Sequence, residues 1–89
     1  MQINIGSITT EKELHEALAS SLGFPDFYGK NWDAFWDAIT GLVDMPNEIE
    51  FVGSAHLRTV LPGAYQQLGD CLADLDKEYP ELGCQVIWN

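Results

Sequence analysis

The side chains of this 89-residue chain best placed for chemistry are its carboxylates, and their spacing lets them act together. On a helix turning 100° per residue, Asp33, Asp37, Thr40 and Asp44 fall within an arc of about 60°. Asp33 and Asp37 stand at i, i+4 with no Lys or Arg among their helical neighbours. Such a like-charge pair costs an isolated helix ~0.2–0.5 kcal/mol. A second stripe follows in Asp70, Asp74 and Glu78, at successive four-residue steps. Three chemistries could use these groups: acid–base catalysis, cation coordination, and recognition of a basic partner. Acid–base work needs surroundings that push two carboxyl pKa values apart, and an exposed i, i+4 pair lacks them. Asp74, Asp76 and Glu78 imitate the first ligands of a calcium loop. Tyr79, however, stands where the loop needs Gly, and Gln85 where it needs Glu. His15 and His56 lack the spacing of zinc ligands and read as surface or core-edge residues. No phosphate-binding loop, nucleophile elbow or Cys–His pair is present. Recognition remains. A single stripe reads first as a solvated helix face, and two unpaired stripes read more sharply as one surface for a basic partner. The chain therefore reads as a binding protein and not an enzyme, with no cofactor or metal, beside the plainer alternative of an acidic domain without a dedicated partner.

The overall charge points the same way. Asp and Glu number 14 against 4 Lys and Arg, a formal net charge of −10. The cations Lys12, Lys30, Arg58 and Lys77 are scattered, so no basic patch exists to hold a nucleic-acid backbone or an anionic membrane. Such a field attracts a cationic partner and speeds its encounter. The aromatics Phe27, Tyr28 and Trp36 flank the first acidic stripe and suit interface anchors, although periodicity also assigns Trp36 to the core and Tyr28 fits a structural role. No basic-plus-apolar leader opens the chain and no run is long enough for a membrane helix, so a cytoplasmic location is expected. Cys71 and Cys84 read as buried free thiols, with a disulfide between them left open.

The elements that must position these groups can be read from periodicity and caps. Gln2–Ile5 alternates as a strand. Thr10-Glu11-Lys12-Glu13 predicts a capping box for a first helix, carried by Leu14, Leu18 and Leu22 and closed by Gly23. Asn31 predicts the N-cap of a second helix to about Gly41, with Trp32, Phe35, Trp36, Ile39 and Val43 on its buried face. Glu48–Phe51 alternates again, and the stretch from Gly53 to about Leu61 is ambiguous, with room for one short helix. After Pro62, Leu68, Cys71, Leu72, Leu75 and Tyr79 form a long apolar stripe, and Cys84–Trp88 reads as a last strand. Strands separated by helices predict one α/β domain over 1–89, a small three-stranded parallel sheet packed with three to four helices. A chain this short buries only about 60–65% of its unfolded surface, which favours a flat binding face over an enclosed pocket.

The residues that carry the charge argument also carry a resemblance. From Pro25 to Gly41 the sequence follows P-x-x-Y-G-x-N-x-D-A-x-W-D-x-x-T-G, preceded by Leu14-His15-Glu16-Ala17-Leu18. This long ungapped motif resembles the barstar family, intracellular inhibitors of barnase-type ribonucleases. The resemblance implies a protein that plugs a ribonuclease active site, one to one, with its second helix and the loop before it. Asp37 would take the site of an RNA phosphate, with Asp33 assisting on the same helix face. Thr40 and Gly41 would lie in the contact surface at the helix end, and Leu42 stands where the family has a tryptophan contact. Phe27 matches an aromatic that stacks on the nuclease's catalytic histidine. Trp36 matches a tryptophan at the interface edge, Gly29 and Asn31 the loop beneath it, and Asp74 and Glu78 peripheral acidic contacts. A second partner class stays open: a different basic toxin or basic protein, with the chain as an immunity or interaction module.

Overall fold

Side-chain caps decide where the first two helices begin. A computed structural model describes residues 1–89. In it, α1 (Glu11–Leu22) opens on Thr10, whose hydroxyl accepts from the Glu13 N–H at 3.1 Å while Glu13 Oε1 accepts from the Thr10 N–H at 3.1 Å. This is the reciprocal box that the sequence predicts. Gly23 ends the helix at φ 74°, a left-handed conformation costly for other residues. The second helix, α2 (Trp32–Asp37), opens on Asn31 as expected, with Asn31 Oδ1 accepting from the Ala34 N–H at 2.8 Å.

α2 does not continue as α-helix to Gly41. From Ala38 to Leu42 the backbone widens into a π turn, and the Val43 N–H reaches back five residues to Ala38 O at 3.2 Å. The Thr40 hydroxyl donates to Trp36 O at 2.6 Å, which gives that carbonyl a partner where the ladder changes pitch. The 100° rotation therefore holds only as far as Asp37. Asp44 lies beyond the extended Val43 and leaves the acidic stripe.

β1 (Gln2–Asn4), β2 (Glu48–Val52) and β3 (Gln85–Trp88) form one sheet in the order β1-β2-β3, with both pairings parallel. Ile3 lies opposite Phe51, and Glu50 opposite Ile87. Parallel neighbours need crossovers, which α1 and α2 supply between the first two strands. α3 (Ser54–Val60) and α4 (Pro62–Glu78) supply the second crossover. The ambiguous stretch after Gly53 is thus one short helix. Gly53 has φ 87°, and a Cβ there would fall 2.3 Å from Gly6 Cα, so only glycine fits this junction. The architecture is the expected α/β fold, with a three-stranded parallel sheet and four α-helices.

The core is a single cluster in which Leu14 and Leu18 of α1, Phe35 of α2, Ile49 and Phe51 of β2, and Leu68 and Leu75 of α4 are fully buried. Each such side chain contributes roughly 1.5–3 kcal/mol, so stability resides here and leaves the rim free. Two expectations need correction. Trp32 and Trp36 are only half-buried, because the buried face of α2 narrows to Phe35 and then Ala38 and Ile39. Tyr79, read as the end of the α4 stripe, is 41% exposed. α4 stops at Glu78, before Pro80, and Tyr79 turns to meet Trp36 at a ring distance of 6.3 Å. No helix is long and apolar enough to cross a membrane.

Candidate partner-binding face

The loop before α2 presents its aromatics in opposite directions. Phe24 and Tyr28 are buried, their rings 4.8 Å apart, whereas Phe27 between them is 76% exposed. A turn bond from the Tyr28 N–H to Pro25 O (3.0 Å) fixes this alternation. Lys30 has φ 52°, the only positive value outside glycine. That turn delivers the chain to Asn31, whose Nδ2 donates to Gly29 O at 3.2 Å while its Oδ1 caps α2. A Cβ on Gly29 would stand 3.3 Å from Asn31 Nδ2 and 3.4 Å from Ala34 Cβ, so a side chain there would press on the cap. The Asn31 side chain is therefore committed to holding the loop.

Behind the loop lies a cluster the sequence did not expose. His15, expected at the surface or core edge, is fully buried. Its Nδ1 lies 2.6 Å from Tyr28 Oη, and its ring packs 4.5 Å from that of Trp32. Trp32 Nε1 donates to Glu11 Oε1 at 2.6 Å. With the Tyr28 hydroxyl donating to Nδ1, the imidazole proton belongs on Nε2, which is buried without a hydrogen-bond partner. Glu11 Oε1 is 3.8 Å from Nε2, too far for a hydrogen bond. Burial lowers the pKa of His15, and the nearby Glu11 carboxylate opposes that shift without cancelling it. Burial likewise raises the pKa of Tyr28 well above the ordinary range. Both rings are neutral near pH 7 and act as a back plate for the loop. The available sequence signal is Glu11–His15 at i, i+4, beside the buried Leu14 and Leu18.

On the outer side, Asp33 and Asp37 are both exposed one helical turn apart, and neither carboxylate accepts a hydrogen bond or pairs with a cation. Asp74 and Glu78 on α4 are exposed and equally free, while Asp70 accepts only from Gln66. The two stripes lie on helices that pack against each other. Cys71, half-buried on α4, has its thiol pKa raised by burial and then by Asp74, Asp70 and Asp33. The Trp36–Tyr79 contact ties the same helices together beside Glu78. Thr40 is half-buried with its hydroxyl turned to the backbone, whereas Gly41 and Leu42 are exposed, Leu42 at 50%. Phe27, Gly29 and Asn31 are exposed along the loop, and Trp36 presents one edge.

This arrangement suits binding. Two surface grooves exist, and neither is lined by Asp33, Asp37, Asp74 or Glu78. No group of three or more His, Cys, Asp or Glu is placed to hold a metal ion. Cys71 and Cys84 are free thiols, and burial raises the pKa of Cys84 also. One ion pair occurs, Lys30–Glu16 at 3.9 Å, while the neutral His15 only faces Glu11, so most of the negative charge is uncompensated within the chain.

A small parallel α/β scaffold thus presents these unpaired carboxylates on its surface. The chain belongs to the barstar family: the family profile described as "Barstar (barnase inhibitor)" matches residues 1–88. It is also similar to a protein of Bacillus subtilis (strain 168) named "Putative ribonuclease inhibitor YrdF", at 58% identity over 33 residues. That match covers 37% of this chain and 36% of the relative, so it spans about a third of the relative's length.

Proposed function

We propose that this protein inhibits a basic ribonuclease by seating its acidic face in the nuclease's active site. A ribonuclease site collects Arg, Lys and His to hold a polyanion and stabilise its transition state. Carboxylates fixed on helices satisfy those cations without being cleaved, and exclude RNA. Asp37 takes the phosphate position, Asp33 supports it, and Asp74 and Glu78 contact the basic rim. Phe27 and Trp36 supply apolar contact, while Gly29, Asn31, Thr40 and Gly41 set and border the backbone between them. Because α2 is rigid, little conformational entropy is lost on docking. The complex is one to one, and the chain contacts neither RNA nor a membrane directly. The observation that carries this reading is the packing of α2 against α4, which leaves Asp33, Asp37, Asp74 and Glu78 exposed on neighbouring helices with no internal cation among them.

A barnase-type ribonuclease titrated with the protein in an RNA-cleavage assay tests the proposal. Asp37→Ala is expected to raise the inhibition constant about thirtyfold or more, the equivalent of an interface hot spot of ~2 kcal/mol. Association should slow as salt is raised. Inhibition by Asp37→Ala equal to that of the parent would remove the role given to this residue. Leu42, 50% exposed where the family has tryptophan, favours a second reading with a different basic toxin as partner. Binding to a panel of basic toxins without inhibition of any ribonuclease would select that reading.

A further inference from the structure

The face of α4 turned away from the acidic stripe meets an open sheet edge. On the helical wheel, Gly69, Leu72, Ala73 and Asp76 centre about 150° from Asp70, Asp74 and Glu78. These residues, with Val86 and Trp88 of β3, border a groove of about 450 Å³. β3 is the last strand of the sheet. The Gln85 and Asn89 N–H groups donate to Asn47 O and Phe51 O, each at 2.9 Å, so alternate residues of β3 face β2. The N–H and C=O groups of Val86 and Trp88 therefore point out of the sheet.

Proteins ordinarily blunt such an edge with lysine, proline, a bulge or a very short strand. β1, the other edge, is three residues long. β3 is one residue longer and carries no lysine, proline or bulge: Gln85-Val86-Ile87-Trp88 is uncharged and rich in strand-forming residues. The groove beside it has one charged lining residue, Asp76, which forms no ion pair. A Cβ on Gly83 would fall 2.5 Å from Asp76 Oδ1, which puts that carboxylate at the end of the groove where β3 begins.

We propose that this edge and groove form a second docking surface, which takes an extended basic peptide segment as a fourth strand. The backbone of the segment pairs with Val86 and Trp88, an apolar side chain enters the groove, and a lysine or arginine meets Asp76. The net charge of −10 selects against an acidic segment, and also against a second copy carrying the same charge. Because this surface lies across α4 from the acidic stripe, both can be occupied at once.

The test uses the full chain and an eight-residue peptide of alternating lysine and valine, with amide exchange read by NMR. Saturating peptide should slow exchange at Val86 and Trp88 by about tenfold or more, as pairing protects them. Val86→Pro removes one outward N–H without touching the β2 ladder. It should weaken peptide binding about two- to tenfold, the net worth of one hydrogen bond, and leave nuclease inhibition unchanged. Val86→Lys, which puts a cation on the edge, should weaken it similarly and serves where the proline variant does not fold. Asp76→Asn should also weaken it, whereas Asp37→Ala should not. Unchanged exchange at both amides with millimolar peptide overturns the proposal. So does equal binding of a glutamate–valine peptide, or concentration-dependent protection of these amides without peptide, which would make the edge a contact between copies.

Discussion

The start of α1 and the outer face of α2 are both acidic, and they treat their carboxylates in opposite ways. Glu13 accepts from the Thr9 hydroxyl at 2.8 Å and from Thr10, which lowers its pKa, the Thr9 bond being the larger cause. Glu11 accepts from Trp32 and faces His15. These charges build the fold. Asp33 and Asp37, and across from them Asp74 and Glu78, accept nothing from the chain. An acidic side chain that serves the fold is recognisable by its donors, and the four carboxylates proposed for the partner have none.

The comparison breaks first on the double variant Asp33→Ala/Asp37→Ala. Its affinity for the nuclease should fall by about 3 kcal/mol or more, as for charged groups truncated at an interface. Its folding stability should change by less than about 0.5 kcal/mol, since relief of the like-charge pair is offset by loss of the favourable Asp33 charge in the first turn. Calorimetric titration and thermal unfolding give the two numbers. A comparable loss in both would mean that these carboxylates serve the fold after all.

Tyr28→Phe probes the other region. It strands His15 Nδ1, fully buried, without a donor, so a stability loss of ~1–3 kcal/mol is expected. At this size each kcal/mol lowers the melting temperature by about 4–8 °C. The same cluster predicts a pH dependence. The pKa of His15 is lowered from 6.5 in the fold, so the unfolded chain takes up the proton first. Stability is therefore full above about pH 6.5, and falls as the pH drops through that value toward the folded pKa. His15→Gln should flatten this slope in thermal unfolding between about pH 7.5 and 5, since Gln does not titrate. An unchanged slope would assign the dependence to other groups.

How much of this was legible in the sequence depended on range. The capping box at Thr10 and the Asn31 cap are contacts over three residues, and both stood where the sequence put them. The strands and their helical crossovers followed from alternation and spacing, whereas the order β1-β2-β3 came only with the fold. The π turn at Ala38–Leu42 was not legible, because a change of pitch leaves the spacing of apolar residues nearly intact. His15 was missed for another reason. Its partners, Tyr28 and Trp32, lie 13 and 17 positions away and join it only when the loop folds back over α1. The acidic stripes themselves were readable, but not their placement on adjoining helices, which depends on how α2 packs against α4.

The finest separation of the two regions comes from Asp37→Asn, which keeps the shape and removes the charge. Asp33 and Asp37 repel along the helix, so neutralising Asp37 should stabilise the fold by ~0.2–0.5 kcal/mol, or about 1–4 °C. Asp33→Asn should give less, because Asp33 lies in the first turn of α2 and is favoured by the helix dipole. The gain from Asp37→Asn should shrink in high salt, since both carboxylates are exposed. Nuclease affinity should move the other way in the same variant. A residue whose neutralisation helps the fold and harms binding is retained for its partner. If Asp37→Asn destabilises the protein instead, the carboxylate has a favourable interaction within the chain, and the division between the two regions fails at its central residue.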